Sequence, residues 1–96
     1  MDVGEGYWQR VPKAAEYVAN RLNGNAPDLL QGGDGSLFVL NPVGRRIIKM
    51  CDGTRSVDQI AVQLAIQFEN VDLVTVSRDV AGFLDKAARQ HFIQWL

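Results

Sequence analysis

The fourteen residues Leu40-Asn41-Pro42-Val43-Gly44-Arg45-Arg46-Ile47-Ile48-Lys49-Met50-Cys51-Asp52-Gly53 constrain the fold of this chain more than any other stretch. They hold the end of a strand, a helix start, an apolar helix and a helix stop. Asn41 is placed to cap a helix, because its side-chain carbonyl accepts from the free backbone N–H groups of the first turn. Pro42 comes next, at the first helical position, where its missing N–H is not needed and its fixed φ already suits a helix. Val43, Ile47, Ile48 and Cys51 share one helical face by their spacing. Gly53, just after Asp52, is placed to take the left-handed conformation that ends the helix. The segment is therefore predicted to be a strand-to-helix corner.

Before the corner, Ser36-Leu37-Phe38-Val39-Leu40 is a continuous, apolar, β-prone run. A strand apolar on both faces needs cover on both. One face can meet the chain's own helices. The other face, or the strand's edge, is a candidate for something the chain does not supply. Further upstream, Glu16–Asn23 reads as a short first strand and Leu29-Leu30-Gln31 as a brief second one. Asn23-Gly24-Asn25 is a turn signal. Gly32-Gly33-Asp34-Gly35 is a hairpin turn, rich in residues that accept positive φ. Residues 1–11 read as a flexible N-terminal arm, in which Trp8 either packs over a core edge or anchors a partner. The domain proper is then 12–96.

After the corner, Ser56 with Gln59 three residues later is a capping box. Val57, Ile60, Ala61, Leu64 and Phe68 then repeat with helical spacing, and that helix should end near Glu69-Asn70. A final helix should start between Asp72 and Thr75 and run to about Gln90. Its apolar stripe is Val76, Val80, Phe83, Leu84 and Ala87; its wet side is Arg78, Asp79, Asp85, Lys86 and Arg89. Phe92-Ile93-Gln94-Trp95-Leu96 is too apolar to stand in water, and should return over the core as an extended piece. The order is three short antiparallel strands and then three helices: an α+β, winged helix-turn-helix-like arrangement.

At 96 residues, 47% of them apolar, the chain is sized for one domain with a modest core. Ten Lys and Arg against eleven Asp and Glu leave a net charge of −1, with no excess to pull it towards phosphate backbones. A winged-helix nucleic-acid binder is the rival reading that the topology permits. Its recognition helix would need a basic face, and Arg78, Lys86 and Arg89 are offset by Asp79 and Asp85. One cysteine excludes an internal disulfide or a Cys-rich metal site. One histidine argues against a His-ligated metal and a Ser-His-Asp arrangement. The N-terminus lacks the basic start and apolar core of a signal peptide. No apolar run reaches the ~18 residues of a membrane span, so the expected location is the cytoplasm.

Motifs for chemistry are missing from the sequence. There is no Walker-type loop, no Gly-x-Gly-x-x-Gly after a strand and no nucleophile elbow. No helix start comes directly after Gly32–Gly35, so it reads as a hairpin turn and not as a phosphate cradle. Cys51 reads as a buried structural thiol, and His91 as a terminal histidine. Asp52, Asp58, Asp79 and Asp85 fall on caps and solvent faces rather than forming a catalytic pair. No cofactor, no metal and no enzymatic activity are expected. Arg45, Arg46, Lys49 and Arg55 form a local positive cluster, either a solvated helix face or a docking patch for an acidic partner.

The corner and the two helices after it resemble a known family. Leu40-Asn41, Ile47-Ile48, Cys51-Asp52-Gly53-Thr54-Arg55-Ser56-Val57, Ile60, Leu64, Phe68, Asp79-Val80 and Phe83-Leu84 together look like the PqqD family. The likeness covers about residues 12–93. That family comprises the peptide chaperone of pyrroloquinoline quinone (PQQ) biosynthesis and related recognition elements of other ribosomal peptide pathways. Where the family usually ends its last helix with glycine, this chain has His91.

The resemblance implies a mode of action. In the family, the leader of a precursor peptide adds as a strand beside the third strand, in a groove between that strand and the third helix. The domain then presents it to a modifying enzyme, often a radical S-adenosylmethionine protein. Carried over by position, the peptide-binding residues are Ser36, Leu37, Phe38, Val39 and Leu40 on the strand. The facing helix supplies Arg78, Asp79, Ala81, Gly82 and Lys86, with the register left open. The partners so implied are a leader peptide and its modifying enzyme, not nucleic acid or membrane. Self-pairing of the open edge into a homodimer is a further possibility.

Overall fold

The structure, a computed structural model, describes residues 5–22, 29–32, 35–68 and 71–96. The Asn41–Pro42 corner forms as its chemistry requires. Asn41 is extended (φ −75°, ψ 169°) and its Oδ1 accepts from the Gly44 N–H at 2.7 Å. Helix α2 runs from Pro42 to Lys49 and buries Gly44, Ile47 and Ile48, with Cys51 buried just beyond. Val43, at the helix start, is partly exposed instead.

The end of α2 differs from the expectation. The helix closes at Met50 in an ordinary right-handed conformation. Gly53 does adopt positive φ (84°), but in the turn beyond the helix. There Asp52 Oδ1 accepts from the Thr54 N–H at 2.9 Å and from its hydroxyl at 2.6 Å. This turn brings Asp52 into an antiparallel bridge with Lys13 of strand β1, Pro12–Ala14. The Ala14 N–H donates to the Cys51 carbonyl at 2.7 Å, and the Gly53 N–H to that of Pro12 at 3.2 Å.

The two later helices obey their punctuation. Helix α3 runs from Val57 to Gln67 behind a complete Ser56–Gln59 capping box. Helix α4 runs from Leu73 to Arg89 behind Asp72, whose side chain accepts from the Thr75 N–H. Val57, Ile60, Ala61 and Leu64 of α3 are buried, as are Val76, Val80, Leu84 and Ala87 of α4. Together with Ile47, Ile48, Val18, Leu22, Leu30, Phe92 and Ile93 they form one core.

Helix α4 ends in a two-bond cap. The Phe92 N–H donates to the Ala87 carbonyl at 2.8 Å and the His91 N–H to that of Ala88 at 3.1 Å. That pattern requires a left-handed residue after the helix. His91 supplies it with φ 63°, at the place where the family usually has glycine.

The N-terminal half departs from the expected three strands. Glu16–Leu22 is helix α1, not a strand. Val18 and Leu22 are its buried positions, while Asn20 midway between them is exposed, a pattern that the two-residue period of a strand would not give. The strands form two separate antiparallel pairs. β1 pairs with β4, Ile93–Trp95, in the register Pro12↔Trp95 and Ala14↔Ile93. β2, Leu29–Gln31, pairs with β3, Leu37–Val39, in the register Leu29↔Val39 and Gln31↔Leu37. The architecture is thus α+β, with α1 between β1 and β2 in the chain. The apolar tail does return as an extended piece, and its partner is the entry strand.

Residues 5–9, expected within a loose arm, form a 3-10 turn whose Tyr7 and Trp8 pack against the core. The Tyr7 hydroxyl donates to the Ala81 carbonyl at 3.2 Å and lies 3.1 Å from an Asp85 carboxylate oxygen. Tyr7 also meets the Trp95 ring edge-on, and the Arg10 guanidinium lies 4.2 Å over that indole. The expected turn at Asn23–Asn25, the Gly33-Asp34 centre of the hairpin turn and the helix end at Glu69-Asn70 lie outside the described residues. Among the described residues no helix is long and apolar enough to cross a membrane.

Candidate functional site

The β2–β3 hairpin has two unlike edges. The Gly32 N–H donates to the Ser36 carbonyl at 2.7 Å, which fixes the alternation of bonded pairs along the ladder. Pairs one step away are non-bonded and pairs two steps away are bonded. Leu30↔Phe38 is therefore a bonded pair, while Gln31↔Leu37 and Leu29↔Val39 are not. The backbone N–H and C=O groups of Leu37 and Val39 point away from β2, out of the hairpin. On the other side, the outward carbonyl of Leu29 accepts from Arg21 Nε of α1 at 2.6 Å. One edge is engaged by α1 through Arg21, and among the described residues no backbone group pairs with Leu37 or Val39 on the other.

Side chains sort by the same alternation. Leu37 and Val39 are 65% and 81% exposed, large values for apolar residues on one short strand. Phe38 turns inward and its ring meets Phe92 edge-on, with centroids 5.4 Å apart. Ser36 is exposed, and Leu40 is buried as the chain enters α2.

The C-terminal end of helix α4 meets this hairpin, and its middle meets the start of α2. Near the start of β3, Gly32 lies so close to Gln90 and Phe38 that a Cβ there would collide with both side chains. Past the end of β3, a Cβ on Gly44 would stand 2.9 Å from the Phe83 ring. The flank of α4 that bears Phe83 is therefore the flank turned to α2. Asp79 and Lys86, four residues before Phe83 and three after it, share that flank, and both are exposed. Gly82 is exposed beside them.

Not every residue carried over by position lies there. Ala81 is buried and its carbonyl accepts from Tyr7, so it faces the N-terminal turn on the opposite flank. Arg78, exposed, lies three residues before Ala81 and four before Gly82, so it stands between that flank and the Gly82 side. The structure brings Asp79, Gly82 and Lys86 together with Phe83, a ring that the sequence assigned only to the core stripe. Its half-buried state and its contact with Gly44 depend on how α2 crosses α4, which periodicity alone does not encode.

The basic cluster is dispersed. Arg45 donates to the Leu22 carbonyl at 2.8 Å. Arg46 donates to Gln67 Oε1 at 3.2 Å and lies over the Phe68 ring. Arg55 pairs with Asp52 at 2.9 Å, both half-exposed. Lys49 is exposed on its own helix.

Other chemistry-bearing groups have structural roles. Cys51 is buried and its thiol donates to the Ile47 carbonyl. Burial, with a smaller contribution from the Asp52 charge, pushes its pKa up to about 12, away from the thiolate that a nucleophile needs. Hydrogen bonds from Thr54, helped by Arg55, hold Asp52 below the usual carboxylate range. A crease of about 640 Å³ lies away from the hairpin, among Lys13, Glu16, Ala19, His91 and Gln94. Among the described residues no group of three or more His, Cys, Asp or Glu side chains is placed to hold a metal ion.

Comparison with curated proteins finds no match to this chain. The family model for coenzyme PQQ synthesis protein D matches residues 29–93, from the first residue of β2 to the first residue of β4. This range contains the open edge of β3, the capped corner and the whole of α4. The chain belongs to the PqqD family.

Proposed function

We propose that this chain is a non-catalytic, cytoplasmic peptide chaperone. Residues 12–96 form its peptide-binding unit, with the hairpin and α2–α4 used as a winged helix-turn-helix-like frame. It binds the leader of a ribosomally made precursor by strand addition on β3. It then presents that leader to a modifying enzyme, of the radical S-adenosylmethionine class, in PQQ or related peptide biosynthesis. The observation that carries this reading is the hairpin's asymmetry. The outward backbone groups of Leu37 and Val39 are offered on one edge, while α1 engages the other through Arg21. An exposed apolar edge strand is an aggregation hazard unless it is managed, and strand addition is a use that explains keeping one.

The energetics suit a carrier. About four backbone hydrogen bonds at about 0.5–1.5 kcal/mol each combine with two or three apolar side chains at about 1.5–3 kcal/mol each. Against them stand roughly 4–15 kcal/mol for lost freedom on association. The balance permits affinities around micromolar or somewhat better, weak enough to release the cargo. The modifying enzyme would dock on the α2 side through Lys49 and the outer faces of Arg45, Arg46 and Arg55.

The test is an NMR titration of labelled protein with the leader peptide encoded beside its gene. Expected shifts fall on Ser36–Leu40 and on the Asp79–Lys86 flank of α4. Val39→Pro removes an outward N–H that β2 does not use, so it should abolish binding while leaving the helical circular dichroism intact. Undiminished binding by that variant, or shifts confined to Arg45, Arg46 and Lys49, would count against strand addition. A homodimer paired through β3 would use the same edge, and would appear as a mass that rises with concentration.

A further inference from the structure

Two hollows adjoin along one flank of α1. The larger, about 640 Å³, lies among Lys13, Glu16 and His91 and is lined by the half-buried Ala14, Ala15 and Ala19. The smaller, about 230 Å³, reaches Leu22, Lys49 and Asp52. Lys13, Ala14 and Ala19 line both, so the two form one trough with Lys13 where they meet. No lining residue belongs to the β2–β3 hairpin or to α4. Lys13 and the three alanines also precede residue 29, where the family match begins.

The trough offers no edge for a strand. β1 is paired on both sides, with β4 and with the Cys51–Gly53 turn, so recognition falls to side chains. The alanine methyl groups keep the trough hollow; a longer side chain there would fill it. Its charges are unbalanced at the smaller end. The Asp52 carboxylate is taken by Thr54 and Arg55. Lys13 and Lys49 are exposed, and among the described residues neither ammonium group has a partner. At the larger end Glu16 faces the same space beside His91. The polar rim therefore runs from one acid to two uncompensated cations.

We infer that this trough docks an acidic segment of a second protein. Its carboxylates meet Lys13 and Lys49, and an apolar side chain lies against Ala14 and Ala19. Charge complementarity selects this occupant. A basic segment would bring like charges against both lysines. A small free anion would meet one lysine and leave the apolar lining bare. Exposed ion pairs are individually weak, so the apolar contact is needed to hold the segment in place. Glu16 repels an acid at the larger end, which confines the segment's carboxylates to the Lys13–Lys49 end. The inference does not rest on strand addition. The trough and β3 share no residue, so both can be filled at once.

The experiment uses the full labelled chain and synthetic peptides in one serine-rich host. One carries Glu-Glu-Leu-Glu-Glu at its centre and another Lys-Lys-Leu-Lys-Lys. Affinities are read from amide shifts. The acidic peptide should shift Lys13–Ala15, Ala19 and Lys49–Asp52, and bind at least tenfold more tightly than the basic one. The double variant Lys13→Glu/Lys49→Glu should invert that order. Ala19→Leu keeps every charge but fills the trough, and should weaken the acidic peptide at least fivefold with the helical circular dichroism unchanged. Val39→Pro should leave all of this as it is. Shifts spread evenly over the surface cations, or an affinity that Ala19→Leu does not move, would show loose surface attraction and overturn the inference. Loss of the acidic peptide on Val39→Pro would place it on β3, so that strand addition stands and this inference falls.

Discussion

The ring of Phe83 lies against the α-carbon of Gly44. A Cβ on that glycine would stand 2.9 Å and 3.3 Å from two ring carbons, and 3.2 Å from the Asn41 oxygen that caps α2. This contact sets how closely α2 and α4 approach and so how the end of β3 meets α4. Gly44→Val should lower the unfolding free energy by about 1–3 kcal/mol through overpacking. It should also shift the Phe83 ring resonances. A urea midpoint equal to that of the wild type would show that the ring turns aside freely and does not hold the two helices in place.

His91 occupies a conformation that L-residues visit at a cost of about 1–2 kcal/mol, which glycine avoids. Both backbone bonds of the α4 cap depend on it. His91→Gly should therefore stabilise the protein by about 1 kcal/mol, seen as a Tm rise of about 4–8 °C for a domain of this size. A fall in Tm would mean that the imidazole side chain contributes more than its backbone strain removes.

The capping box at the start of α3 satisfies backbone donors that the helix cannot. The Ser56 hydroxyl accepts from the Gln59 N–H at 3.2 Å, and Gln59 Oε1 accepts from the Ser56 N–H at 2.8 Å. Ser56→Ala should cost about 1 kcal/mol, and Ser56→Gly only a few tenths. Chemical unfolding of the two variants side by side tests the ranking; equal losses would indicate that the hydroxyl is not the group that matters.

Alkaline pH should weaken the fold. Burial raises the Cys51 thiol from its ordinary 9.0 to about 12. Burial, then the charge of Asp85 and the hydrogen bond to it, raises Tyr7 well above its ordinary 10.0. In both cases the folded chain holds the proton more firmly than the unfolded chain. The stability they contribute is complete below pH 9 and declines as pH rises through the window above it. Tm tracked from pH 8 to 11 should fall, and Cys51→Ala should flatten the first part of that fall. At pH 8 the native thiol should resist a thiol reagent that labels the unfolded chain at once. Rapid native labelling would contradict the burial argument.

Parts of this architecture were legible in the sequence because their signals are local. Asn41-Pro42, Ser56 with Gln59, and Asp72 each announce a helix start within three residues, and all three act as caps in the structure. Helix α1 was not legible. Seven residues hold only Val18 and Leu22 as buried positions, too few to separate a period of 3.6 from one of two. The β1–β4 pair was not legible either, since Pro12 and Trp95 find each other from opposite ends of the chain and three-residue strands carry almost no periodicity. At the site, the apolar run of β3 was plain. Which flank of α4 accompanies it was not. Periodicity tells that Asp79 and Arg78 are both wet, but only the packing of Phe83 on Gly44 shows that Asp79, four residues before that ring, borders the flank turned to α2.

The Arg21 bond to the Leu29 carbonyl makes the two edges of the β2–β3 hairpin unequal competitors for a new strand. A ribbon with two free edges can add units at both and grow without limit. On the β2 side an added strand must first displace a guanidinium from an acceptor that it needs. On the β3 side the outward groups of Leu37 and Val39 meet no such rival among the described residues. The guanidinium of Arg21 is in this sense a guard on one edge, which makes growth at the other the easier course.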